Sequence, residues 1–201
     1  MQQYQEQKFS LTNLKGLSDK QVSEHLKLYA GYVKNTNNIT DKIAELRQNS
    51  ETNALALSEL TRRFGFEWNG MRLHELYFDC LDPSTQLRAG GQPTESEYLK
   101  KMIEAQYGNF DNWLREFKSV GLMRGIGWVI LYYDPMIKRL QNVWITDHEV
   151  GHLASLPIIL AMDVWEHAYL LDYLPSQRKD YIEAFFQNLN WRKLNDRLHL
   201  R

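Results

Sequence analysis

The chain contains only one cysteine, Cys80, and this scarcity excludes two kinds of site. A single thiol cannot form an intramolecular disulfide, and it cannot build a metal site from thiolates alone. The composition therefore fits a reducing compartment. Any metal ion would have to be bound by the six histidines together with carboxylates.

Charge of one sign and long hydrophobic runs are also absent. The 24 basic residues nearly cancel the 25 acidic ones, so no overall positive field exists to hold nucleic acid or anionic lipid. The longest strongly apolar run, residues 156–162, is too short to cross a membrane, and the polar N-terminus lacks the apolar core of a signal peptide. We therefore expect a cytoplasmic protein with neither nucleic-acid nor membrane partners.

Hydrophobic periodicity predicts two long helices in the first half of the chain. Ser18 and Gln21 form a capping-box pattern, after which apolar residues recur at steps of three and four as far as Leu46. A second helix is predicted over residues 51–81. Two long helices with a short connection are typical of an antiparallel hairpin.

The second half of the chain predicts shorter helices around a small sheet. Helices are predicted over residues 95–107, 110–120, 166–173 and 177–198, and strands over residues 127–133, 140–145 and 157–162. The predicted fold class is therefore α+β. We expect a helical hairpin domain, residues 1–82, and an α/β domain, residues 91–201.

The end of the third predicted strand carries the most informative local pattern. Asp163 and His167 place a carboxylate and an imidazole four residues apart beside aromatic rings. Such oxygen and nitrogen ligands suit iron, manganese or zinc, and a strand end holds them on a rigid element. Taken alone, the pair is also typical of a turn with a capping aspartate.

The segment from Asp163 to Tyr169, Asp-Val-Trp-Glu-His-Ala-Tyr, resembles the C-terminal metal signature of iron/manganese superoxide dismutases. The resemblance covers nearly the whole chain. Its other segments, in order, are His25 with Tyr32-Val33, His74 with Tyr77 and Cys80-Leu81, Gly125-Ile-Gly-Trp128, and Asp180-Tyr181 to Asn190-Trp191. It implies a helical hairpin followed by an α/β lobe with a three-stranded antiparallel sheet, in agreement with the periodicity.

The resemblance also implies a metal site and an activity. The four protein ligands would be His25, His74, Asp163 and His167, holding one iron or manganese ion per chain, with iron slightly preferred. Three nitrogens and one oxygen leave a place for solvent. The implied activity is the disproportionation of superoxide to dioxygen and hydrogen peroxide.

Further roles follow from the same resemblance. Tyr32 would supply or relay protons, and His148 would orient the metal-bound solvent, since Gly70 leaves empty the other place from which the family supplies this group. Phe78, at a position where the family generally has tryptophan, and Trp128 would line an apolar pocket. The two rings are equally consistent with ordinary core residues.

The resemblance implies contacts outside the metal site as well. Glu166 and Tyr169 would lie at a homodimer interface, where Glu166 bonds the partner's His167; a tetramer is the alternative. Arg178 would place a positive charge at the substrate entrance, where it attracts the superoxide anion.

The first ligand is ambiguous in register. His25 precedes Tyr32 by seven residues, whereas the family spacing of eight would select Glu24. Because seven residues are close to two helical turns, His25 and Tyr32 share one face of a regular helix. A neutral imidazole is also the expected type of ligand, so we predict His25.

Two other functions compete with dismutation. His148, Glu149 and His152 match the His-Glu-x-x-His motif, which on a helix binds zinc and supplies the general base of a peptidase. However, the motif follows a predicted strand and ends shortly before Pro157, which leaves little room for a helix. The other alternative is a binding or structural protein that keeps the dismutase fold with weak or no activity.

Overall fold

A computed structural model of the chain describes residues 2–84 and 97–198. The N-terminal part consists of helices α1 (Asp19–Leu46) and α2 (Ala54–Asp79). The rest contains helices α3 (Tyr98–Tyr107), α4 (Phe110–Gly121), α5 (Arg178–Gln187) and α6 (Trp191–Arg197), and strands β1 (Gly127–Asp134), β2 (Arg139–Thr146) and β3 (Ile158–Asp163). The predicted helical hairpin and three-stranded antiparallel sheet are confirmed. Among the described residues, no helix combines the length and hydrophobicity that a membrane span requires.

The start of α1 is tied to the segment that follows β3. Ser18 caps the helix, because its hydroxyl accepts the backbone N–H of Gln21 at 3.0 Å. The predicted capping box is incomplete, since the Gln21 side chain does not return to Ser18. Instead its amide donates to the carbonyl of His167 at 2.7 Å and accepts the N–H of Leu171 at 3.0 Å.

The sheet has the strand order β2-β1-β3, so β1 lies in its centre. The residues of β1 from Gly127 to Tyr132 are all buried, which explains why its apolar run shows no alternation with polar residues. Trp128 on β1 pairs with Asp163, the last residue of β3. Because α2 packs against β3, this end of the sheet faces the hairpin.

Two predicted helices are wrong in the C-terminal part. Residues 166–173 form a short 3-10 turn, Glu166–Ala168, followed by turns, and residues 177–198 break into α5 and α6. The break depends on buried Asn188, whose amide bonds the N–H and the carbonyl of Lys15, both at 2.8 Å. An asparagine with such partners lets the backbone leave the helix.

The two predicted domains, residues 1–82 and 91–201, share packing and backbone contacts. Part of the predicted boundary lies in residues 85–96, outside the described residues, as does the start of the helix predicted over residues 95–107. One hydrophobic core contains residues from both predicted units. Backbone pairing of Leu81 with Leu189 also joins the end of the hairpin to the C-terminal helices.

Candidate metal centre

Four side chains from four places in the sequence converge between the hairpin and the sheet. They are His25 on α1, His74 on α2, Asp163 at the end of β3 and His167 in the 3-10 turn. One candidate ligand atom from each lies within 4.8 Å of the others. The Asp163 Oδ2 atom is 3.1 Å from Nε2 of His25, 3.1 Å from Nε2 of His167 and 3.6 Å from Nε2 of His74.

His74 provides the sharpest test of whether these residues fit a metal ion. Its Nδ1 atom lies 2.6 Å from the carbonyl of Gly70, which can only accept, so Nδ1 carries the hydrogen. The Nε2 atom then presents a lone pair, and it is buried without a hydrogen-bond partner in the described structure. A buried nitrogen of this kind is costly unless something binds it. The donor set of three imidazoles and one carboxylate therefore fits iron or manganese.

The protonation states also suit metal binding. Burial lowers the pKa values of His25 and His74, so both imidazoles are neutral, which is the form that binds metals. Burial alone would raise the pKa of Asp163, but the neighbouring His167 and His25 hold it well below its usual value. Its Oδ1 atom accepts the backbone N–H of Trp165 at 2.8 Å, which leaves Oδ2 facing the imidazoles.

The structure places His25 rather than Glu24 in the cluster. The His25 side chain is 2% exposed, whereas the Glu24 side chain is 49% exposed and pairs with Lys27 at 2.6 Å. Because α1 continues without interruption, the seven-residue spacing brings Tyr32 to the same side of the helix as His25.

A wall of aromatic rings surrounds the cluster. The Phe78 ring centroid is 4.9 Å from that of His25, and Trp128 is 5.1 Å from His74. Trp165 stacks on His167 at 5.6 Å. Phe78 and Trp128 are both buried, so these rings give the cluster apolar surroundings, which lower the local dielectric constant.

A hydrogen-bonded chain runs from the sheet to Tyr32. The indole N–H of Trp128, which can only donate, lies 2.9 Å from Nδ1 of His148. In neutral His148 the hydrogen is therefore on Nε2, which donates to the Tyr32 hydroxyl at 2.8 Å. Burial lowers the pKa of His148 to about 4, which keeps the imidazole neutral. The hydroxyl hydrogen of Tyr32 is then left for a second acceptor.

Comparison with known proteins agrees with this geometry. The family described as iron/manganese superoxide dismutases, C-terminal domain, matches residues 95–197. The chain is 37% identical over 190 residues to superoxide dismutase [Fe] of Aquifex pyrophilus, covering 92% of this chain and 85% of that protein. It is 36% identical over 167 residues to superoxide dismutase [Mn] of Haloarcula marismortui, covering 82% and 76%. The chain belongs to the iron/manganese superoxide dismutase family.

Three residues that the family resemblance places outside the cluster differ in exposure and in contacts. Glu166 is exposed, and Tyr169 is buried within the single chain. Arg178 donates to the carbonyls of Met123 at 2.8 Å and Gly125 at 2.9 Å, and to the Tyr169 hydroxyl at 3.2 Å. Arg178 therefore fixes the loop before β1, and its role at a substrate entrance stays a prediction.

The zinc site of the alternative hypothesis does not form among the described residues. His148 and Glu149 lie at the tip of a hairpin closed by Thr146 and Val150, not on a helix. His152 lies with Nδ1 2.7 Å from the Tyr132 hydroxyl and Nε2 3.0 Å from the carbonyl of His148. Both nitrogens of each histidine thus have protein partners, which leaves no lone pair for zinc.

Two residues that support this dismutase-family site were missed by the sequence analysis. Gln21, which holds the carbonyl of His167, carried only its helix-capping signal. The Phe66 ring lies 4.6 Å from that of His148 and 6.2 Å from that of Tyr32, but a lone phenylalanine on a helix has no signal beyond core packing.

Gly70 tests the position of the Tyr32 ring. A Cβ atom at residue 70 would lie 2.6 Å from Cδ1 and 2.8 Å from Cε1 of Tyr32, so the ring would have to move. We expect Gly70→Ala to lower the free energy of unfolding by about 1–3 kcal/mol, measured by denaturant titration. The control is Gly31→Ala, because no atom lies within 4 Å of a Cβ there. This control should be stabilising by up to about 1 kcal/mol, and equal effects of the two changes would contradict the close packing at Gly70.

Proposed function

We propose that this chain is a superoxide dismutase whose metal ion is bound by His25, His74, Asp163 and His167. The observation that carries the proposal is the unpartnered Nε2 of His74, buried beside two further imidazoles and a carboxylate. The net reaction converts two superoxide ions and two protons into dioxygen and hydrogen peroxide. A bound iron or manganese ion would supply the one-electron oxidation and reduction.

The charges of the proposed ligands suit an anionic substrate. Three neutral imidazoles and one carboxylate contribute a single negative charge, which is less than the charge of a divalent or trivalent ion. The loaded site would therefore be positive although the whole chain has a formal net charge of −1. A local positive charge inside a low-dielectric wall attracts a small anion.

The hydrogen-bond chain supports a role for Tyr32 in proton delivery. Because His148 donates to the Tyr32 hydroxyl, the hydroxyl can donate its own hydrogen towards the site. Burial raises the pKa of Tyr32, so the hydroxyl stays protonated. His148 contacts Tyr32 directly, and its predicted contact with metal-bound solvent stays a prediction.

The relatives include enzymes named for iron and enzymes named for manganese, so relatives of this chain are named for either metal. We propose iron as the preferred ion. The ligand atoms are of the types that both ions accept.

The first experiment measures metal content and superoxide turnover on the same purified sample, for the wild type, His25→Gln and Glu24→Gln. We expect near-stoichiometric iron or manganese and high activity in the wild type and in Glu24→Gln. His25→Gln should lose most of its metal, because it removes one of the four ligands. Glu24→Gln is matched in position and size, and the exposed side chain of Glu24 lies outside the cluster.

The other outcomes distinguish the alternatives. A folded wild-type protein with neither metal nor turnover would favour the binding or structural hypothesis. Metal loss in Glu24→Gln but not in His25→Gln would contradict the proposed register of α1. Zinc without dismutation would contradict the proposed function.

Tyr32→Phe tests proton delivery. We expect this variant to keep its metal and its fold but to lose about tenfold in kcat, because its site lacks the donating hydroxyl. The loss should be largest at high superoxide concentration and at high pH, where free protons are scarce. Pulse radiolysis across pH measures this directly, and an unchanged pH profile would remove Tyr32 from the proton path.

We further propose that the chain forms a homodimer through the surface beside His167. The His167 side chain is 21% exposed, whereas His25, His74 and Asp163 are at most 2% exposed. The neighbouring Glu166 is exposed, and its side chain makes no hydrogen bond or ion pair within the described residues. The same surface carries exposed leucines at positions 170, 171 and 174. A second copy would cover these groups and complete the surroundings of His167.

Sedimentation equilibrium tests this interface. We expect twice the mass of one chain for the wild type and a weaker dimer for Glu166→Ala, which loses an anion facing the partner's His167. Glu45→Ala is the control, because Glu45 is exposed at the opposite end of α1. A wild-type monomer with a full complement of metal would contradict the dimer, and a fourfold mass would indicate the tetramer.

A further inference from the structure

The tip that carries His148 is tight and its backbone is strained. Thr146 and Val150 exchange backbone hydrogen bonds of 2.9 and 3.2 Å, so the three residues between them, 147–149, form the turn. Asp147 within this turn has a φ of +53°, a left-handed conformation that costs free energy for a residue with a side chain. Because His148 follows directly, the position of its ring depends on how this turn is held.

A second histidine, His152, binds the turn through a backbone carbonyl. Its Nε2 atom lies 3.0 Å from the carbonyl oxygen of His148, and since a carbonyl only accepts, Nε2 carries the hydrogen. In the neutral imidazole, Nδ1 then accepts the hydroxyl of Tyr132 at 2.7 Å. Tyr132 is buried on the central strand β1, so His152 connects the turn to the centre of the sheet.

His148 is therefore fixed at two points by the same strand. Trp128 on β1 holds its imidazole directly, and Tyr132 on β1 holds its backbone through His152. The first contact sets the tautomer, and the second sets where the residue lies. Together they place Nε2 of His148 at 2.8 Å from the Tyr32 hydroxyl.

We propose that His152 is a positioning residue for dismutation, which acts by holding the carbonyl of His148 so that the His148 imidazole meets Tyr32. This inference rests on the proposed function, in which Tyr32 delivers protons. His152 belongs to the His-Glu-x-x-His pattern, and this role uses the second histidine of that pattern without zinc.

Three substitutions at residue 152 separate positioning from filling of space. His152→Gln keeps an N–H donor near the place of Nε2, from which it can reach the carbonyl of His148. His152→Asn introduces a shorter side chain, which keeps a polar group only beside the Tyr132 hydroxyl. His152→Leu keeps the volume and removes both hydrogen bonds. The control is Asn142→Leu on β2, which removes the acceptor of the Trp113 indole N–H at 3.0 Å and leaves the turn untouched.

Crystal structures of the metal-loaded proteins and kcat with superoxide are the two measurements. In the Leu and Asn variants we expect the distance from His148 Nε2 to Tyr32 Oη to exceed about 3.5 Å, beyond hydrogen bonding. We expect kcat to fall about tenfold at unchanged KM and unchanged metal content. The Gln variant should stay within about twofold of wild type, as should Asn142→Leu despite its lower Tm.

Several results would overturn the proposal. One is an unchanged distance from His148 to Tyr32 in the Leu and Asn variants. Another is a Gln variant as inactive as the Leu variant, or a control that loses as much activity. If the Leu variant does not fold, the Asn variant decides alone. If the wild type shows no dismutation, the proposed function fails, and the measured distance still decides whether His152 positions His148.

Discussion

The site depends on one buried carboxylate oxygen, the Oδ2 atom of Asp163. A charged oxygen without exposure to solvent is costly unless donors or a bound cation lie beside it. Here Nε2 of His25 and Nε2 of His167 both lie 3.1 Å away, and the lone pair of His74 Nε2 lies 3.6 Å away. These nitrogens come from α1, α2 and the turn after β3. The fold must therefore bring the hairpin against the end of the sheet. There the imidazoles of the hairpin cover the carboxylate of β3, and the end of β3 covers the imidazoles.

One strand and one glycine set most of the geometry around that oxygen. Strand β1 pairs with Asp163 through Trp128, and the same tryptophan fixes the tautomer of His148. Gly70 on α2 acts twice: its carbonyl fixes the tautomer of His74, and its missing side chain makes room for the ring of Tyr32. The ligand cluster and the proton donor are thus positioned by shared residues, so they cannot be displaced independently.

The sequence predicted what local patterns determine. Three- and four-residue periodicity located α1 and α2, and apolar runs located the three strands. Burial of one helix face, or of both faces of a strand, sets the spacing of apolar residues in the sequence. It failed where distant contacts decide the structure. Nothing near Asn188 reveals that its amide binds the backbone of Lys15, 173 residues away, and ends a helix there. Gln21 likewise satisfies a local capping pattern, while its side chain serves His167.

The histidines show why residue type alone could not define the site. An imidazole with protein partners on both nitrogens cannot also bind a metal, and this is the condition of His148 and His152 in their hairpin. His74 has one nitrogen on a carbonyl and the other without a hydrogen-bond partner among the described residues. His148 and His152 would have to lie on a helix for both rings to point at one metal ion, and here they lie in and after a hairpin turn. The hydrogen-bond partners of each ring, which only the folded chain defines, therefore separate a metal-binding histidine from one that positions its neighbours.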